Sequence, residues 1–72
     1  MKLENLRRGQ SFRIISIPDD IVRAQAIRFG LAEGEIAVCE EIIPAGPIVI
    51  KKNRQEIVLG RGLAKSIQVE LI

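Results

Sequence analysis

The chain holds one cysteine, Cys39, and no histidine. Without an imidazole, neither a Ser-His-Asp nor a Cys-His arrangement can form. The commonest general base and the commonest transition-metal ligand are absent together. Cys39 lies in an apolar stretch with no adjacent pair of cations to lower its pKa, so it reads as a buried, inert thiol. A single cysteine also excludes an internal disulfide and a cysteine-based zinc site. Carboxylates are the next candidates. Glu33, Glu35, Glu40 and Glu41 crowd one segment and could offer oxygens to a hard cation, but they lack the ligand spacing of a calcium loop. A solvated acidic edge is the favoured reading. Asp19-Asp20, directly after Pro18, reads as a helix cap rather than a metal site.

The cations offer three further chemistries. Gly60-Arg61-Gly62 is not a nucleotide cradle, because no Gly-Lys-Ser/Thr follows it. Arg61 could project between its glycines like an arginine finger onto a transferring phosphoryl group, although a turn with a solvated arginine is simpler. Lys51, Lys52 and Arg54 mark a basic hairpin tip, and Arg7, Arg8 and Arg13 a second basic group. Nucleic acid is disfavoured nevertheless: there is no Tyr or Trp to stack on a base, and Phe12 and Phe29 both read as core. The net charge of +2 is no more than a solubilising surface needs.

These residues hang on short elements. At 72 residues the chain reads as one domain, 1–72, near the lower limit for a self-sufficient core. Isoleucine and valine point to strands. No stretch approaches the ~20 apolar residues of a membrane span, and no signal peptide is visible, so a cytoplasmic protein is expected. Leu3 and Leu6 turn inward on a lead-in. Ser11 to Ile17 reads as a first strand, with Phe12 and Ile14 on one face and Ile15 and Ile17 on the other. Such two-sided apolarity calls for a closed or well-covered sheet. Asp19 and Asp20 open a helix, and Asp20 is taken as its cap. Ile21, Ala24 and Ile27 form its apolar stripe, with Arg23 and Arg28 off the stripe and an Asp19–Arg23 pair at i,i+4. Gly30 stops the helix in the left-handed region, Leu31 folds back onto the last turn, and Glu33-Gly34 makes a second positive-φ turn.

A second strand follows over Glu35 to Ile43, interrupted by a bulge or bend at Glu40-Glu41. Pro44-Ala45-Gly46-Pro47 is the strongest breaker cluster and predicts an exposed loop. Ile48 to Lys51 and Glu56 to Leu59 then form a hairpin around Asn53-Arg54. Leu63 to Ser66 makes one short turn, and Ile67 to Leu71 a closing strand. The expected architecture is mainly β: a small SH3-like five-stranded barrel with one short helix in the first long connection, packed over one barrel opening.

Arg23 to Gly34, RAQAIRFGLAEG, resembles the arginine-led helix and G-L-x-x-G turn of the FeoA family, the small cytoplasmic component of bacterial ferrous iron transport. Leu6-Arg7-Arg8-Gly9-Gln10 resembles that family's opening L-x-x-G-x turn, and the length and strand order agree. The resemblance implies an SH3-like fold and no enzymatic activity. It also implies a cytosolic accessory role, in which the chain docks on the membrane transporter FeoB with its GTP-binding domain. Transition-metal binding is implied too; with no histidine, only weak binding of a divalent ion such as ferrous iron is expected, and no cofactor. The expected contact surfaces are the apolar loop Ile43, Pro44, Ala45, Gly46 and Pro47, running to Ile48, and the helix face of Arg23 and Arg28. Beginning at Met1 and lacking a helix-turn-helix, the chain reads as free-standing. The rival readings are an interaction or metal-sensing module related to the C-terminal domain of iron-dependent repressors, and a small RNA-binding barrel. A second copy of the chain is a further candidate partner.

Overall fold

The computed structural model describes residues 1–72. A short 3₁₀ turn at Leu3–Asn5 is followed by β1 (Ser11–Ser16), α1 (Asp20–Arg28), β2 (Ile36–Ile42), β3 (Ile48–Lys52), β4 (Gln55–Leu59), α2 (Arg61–Ala64) and β5 (Gln68–Leu71). The strands form one antiparallel sheet in the order β4-β3-β2-β1-β5. This is the expected mainly β, SH3-like arrangement, with α1 in the first long connection.

The sheet is not strictly closed, because β4 and β5 do not pair. The hydrogen-bonding edge of β5 that closure would use is already occupied by the start of the chain. Met1 and Val69 exchange two backbone bonds, at 2.8 and 3.0 Å, and Leu3 N donates to Ile67 O at 2.9 Å. A covered edge cannot template further pairing.

Closure was expected from a first strand apolar on both faces, and the register removes that premise. It shifts between Ile14 and Ser16 in the β1–β5 pair. Phe12, Ile14 and Ile17 are all buried, whereas Ile15 is half-exposed. An extra residue reverses the alternation, so Ile17 turns to the same side as Phe12. A second shift lies between Cys39 and Glu41 in the β2–β3 pair, where the Glu40-Glu41 interruption placed one. In β2 the small residues Ala37 and Cys39 face the core while Ile36 and Val38 face out. The pairing explains the inversion. Ala37 stands opposite Phe12, and Cys39 opposite Ile50, so large side chains from the neighbouring strands fill that space.

The cap of α1 is Asp19, not Asp20. One Asp19 carboxylate oxygen accepts from Ile21 N at 2.9 Å and Val22 N at 3.1 Å, while Asp20 occupies the first helical position. At the other end Gly30, at φ 86°, donates to Ile27 O, and Leu31 N donates to Ala26 O, both at 2.9 Å. This pair of bonds returns the chain beneath the helix and brings Leu31 against Ala26. The return decides which face of α1 is buried. Ala26 is fully buried and Val22 partly so, but Ile21 is 73% and Ile27 56% exposed, and Ala24 is exposed. The expected Ile21-Ala24-Ile27 stripe therefore faces solvent. Phe29, expected in the core, caps the helix and is 46% exposed.

Candidate functional site

Three of the cations singled out in the sequence are engaged with main-chain carbonyls, each tying down a loop. Arg23 Nε donates to Ile17 O at 3.1 Å, and its Nη1 lies 3.3 Å from Asp20 Oδ1. The ion pair is thus with Asp20 at i,i+3 rather than with Asp19, whose carboxylate is the cap. Lys52 reaches from the β3–β4 hairpin to Gly30 O and pairs with Glu35. It fastens the turn after α1 to the far end of the sheet. Arg61 Nε donates to Gly46 O at 2.8 Å and Nη2 to Ile43 O at 3.1 Å. Its guanidinium is turned onto the Ile43–Pro47 loop rather than projected outward as a finger would be.

The carboxylates diverge. Glu33 Oε2 accepts from Ile17 N at 2.9 Å, which satisfies a donor left over where β1 ends before Pro18. That role was missed in the sequence. The only hint was a carboxylate beside Gly34, whose φ of 90° turns the chain back toward β1. Glu35 is paired with Lys52. Glu40, on the β2 bulge, has its pKa raised, first because its protonated carboxyl can hydrogen-bond to the Glu56 carboxylate of β4. Desolvation and the charge of Glu56 add to the rise, and Lys51 and Arg8 oppose it. No three of the Asp, Glu and Cys side chains converge as a metal cage. Cys39 is buried, and its pKa is raised by desolvation and then by Glu41, so it remains a thiol at neutral pH.

The Glu40–Glu56 contact has a pH signature. Because the folded state raises the pKa of Glu40, folding favours the protonated form. The stability it lends is fully present below its ordinary value of 4.5 and is lost as pH rises through the folded pKa. Urea unfolding across pH 4 to 7 should therefore show stability falling with pH on account of this group, and Glu40→Gln should remove that component. An unchanged slope in the variant would show that the pair does not titrate on folding.

The Ile43–Pro47 loop is the most built of the candidate surfaces. Gly46 N donates to Ile43 O at 2.8 Å and Ile43 N to Pro47 O at 3.1 Å, closing a turn with Pro44 and Ala45 at its centre. Ala45 takes φ 55°, a left-handed conformation that a side chain disfavours. A Cβ on Gly46 would fall 2.8 Å from Ile43 Cγ2, so a side chain there would force Ile43 to shift. Ile43, Pro44 and Ala45 are exposed, Gly46 and Pro47 half-buried, and Ile48 is core. Of the two expected helix-face arginines, only Arg28 is free of an intramolecular ion pair. The structure does not merge the loop and the helix face into one ligand-sized cavity; it has none.

The chain is a five-stranded SH3-like domain whose loops are pinned by its own cations. The FeoA domain family model matches residues 1–71, and the chain belongs to that family. A crystal structure of an iron uptake regulatory protein (FeoA) superposes with a TM-score of 0.91 at 25% identity, covering 100% of this chain and 97% of that one. A FeoA protein from Chlorobium tepidum gives 0.84 at 27%, covering 100% and 70%. The metal-dependent transcriptional regulator MtsR gives 0.88 at 18%, covering 100% of this chain and 34% of that one, which shows a shared fold alone. No curated protein sequence matches the chain. No helix is long and apolar enough to cross a membrane.

Proposed function

We propose that this chain is a non-enzymatic accessory protein of ferrous iron uptake. It acts in the cytoplasm by docking on the cytosolic part of a FeoB-type GTPase transporter. The observation that carries the reading is membership of the FeoA domain family over residues 1–71. The absence of a histidine or a catalytic pairing supports binding rather than chemistry, and the preformed Ile43–Pro47 loop supports a protein partner. Docking influences the transporter only if the chain binds two of its conformational or nucleotide states with different affinity.

The test is an NMR titration of the labelled protein with the soluble cytosolic portion of the transporter, with ferrous iron titrated in parallel. Localised shifts at Ile43 to Pro47 or around Arg28 are expected with the transporter fragment. Shifts with iron alone, centred on Glu33 to Glu41, would replace this reading by a metal-binding domain. That second reading draws on the shared fold of the metal-dependent regulators, in which a domain like this one makes up 34% of the MtsR chain.

A further inference from the structure

The exposed turn at Pro44-Ala45 carries no charge, yet its conformation is costly. Ala45 sits at φ 55° without the freedom of glycine. Strain of this kind persists only where the surroundings over-determine it. Inside the loop, only the Gly46 N–Ile43 O and Ile43 N–Pro47 O bonds oppose it. The external restraint is Arg61, which bridges the two sides of the turn by donating to Ile43 O and Gly46 O with different nitrogens of one planar group. A lysine has no such fork. The arginine comes from the start of α2, immediately after β4, so it ties a far part of the chain to the loop rather than stiffening it locally.

We infer that Arg61 is the positioning residue of the docking surface: it holds Ile43-Pro44-Ala45 in the exposed, uncharged form that the transporter's cytosolic portion meets. This rests on the docking reading above. Its guanidinium acts through the loop, not through contact with the partner. A pre-ordered loop binds better because its ordering does not have to be supplied on association.

The experiment compares wild type, Arg61→Ala and Arg61→Lys by amide exchange and by affinity for the transporter's cytosolic portion, with melting curves as a check on folding. Arg61→Ala should speed exchange at Gly46 and Ile43 by about tenfold, the scale of one lost net hydrogen bond. It should weaken binding several-fold. Arg61→Lys, which keeps the charge, should resemble Arg61→Ala in both respects. Wild-type affinity in Arg61→Lys despite a loosened loop would overturn the inference, since charge and not loop order would then carry binding. Unchanged loop exchange in Arg61→Ala would overturn it as well. If wild type itself fails to bind while the loop responds as expected, the docking reading falls and the clamp alone stands.

Discussion

Phe12→Ala is expected to destabilise the protein by about 3–5 kcal/mol, whereas Phe29→Ala should cost less than about 1 kcal/mol. These are the only aromatic residues, and composition makes them look equivalent. The structure separates them. Phe12 has no exposed surface and stands opposite Ala37 on β2 and Leu71 on β5. Truncating it opens a cavity that small neighbours such as Ala37 cannot fill. Phe29 caps α1 and leaves nearly half its surface in water. A chain of this length holds about 4–11 kcal/mol of total stability at roughly 0.05–0.15 kcal/mol per residue. The Phe12 change therefore removes a large share of the whole, and chemical denaturation at one temperature will read it directly. Equal losses for the two variants would contradict the packing described.

The second large effect is expected at Leu31. Leu31→Ala should cost about 2–5 kcal/mol, and the loss should be accompanied by faster amide exchange along α1. Leu31 is fully buried, and its N–H is bonded to the carbonyl of Ala26, the one fully buried residue of the helix, which enters the same core cluster. A nine-residue helix is too short to persist without tertiary support. Ile21→Ala and Ile27→Ala, on the exposed side, should change stability by only a few tenths of a kcal/mol to about 0.5 kcal/mol. Gly30→Ala isolates the backbone contribution. A Cβ there would meet nothing within 4 Å, so the cost is that of φ 86° alone, about 1–2 kcal/mol. A larger loss for Ile27→Ala than for Leu31→Ala would restore the stripe that the sequence suggested.

Short-range signals in the sequence place the elements of this chain, and long-range contacts choose their faces. Strand positions, the helix in the first connection and the bulge at Glu40-Glu41 follow from breakers, caps and alternation, all of which act over a few residues. The faces do not. Ile15 and Ile17 share parity in the sequence, but one extra residue in the β1–β5 register puts them on opposite sides. Ile21, Ala24 and Ile27 recur every third residue, yet helix orientation is set by the Leu31 return, which lies outside the helix. At the candidate site, the Ile43–Pro47 loop was visible as a breaker cluster. The engagement of Arg23, Lys52 and Arg61 with carbonyls 6, 22, and 15 and 18 residues away was not. No local pattern distinguishes a cation that will find a main-chain oxygen from one that will remain in water.

The amino-acid sequence by itself determined the class of protein: a small aliphatic β domain of the FeoA kind, with no histidine. It determined where the chain turns, because proline, glycine and capping aspartate act through their own backbone and immediate neighbours. Tertiary structure alone decided which apolar residues are core and which surface, that the sheet remains open between β4 and β5, and which charges are fastened to loops. Those outcomes depend on register and on contacts between distant segments. The Met1–Val69 pairing on the edge of β5 and the Arg61 bridge to Ile43 and Gly46 exist only once the strands have brought their partners within hydrogen-bonding distance.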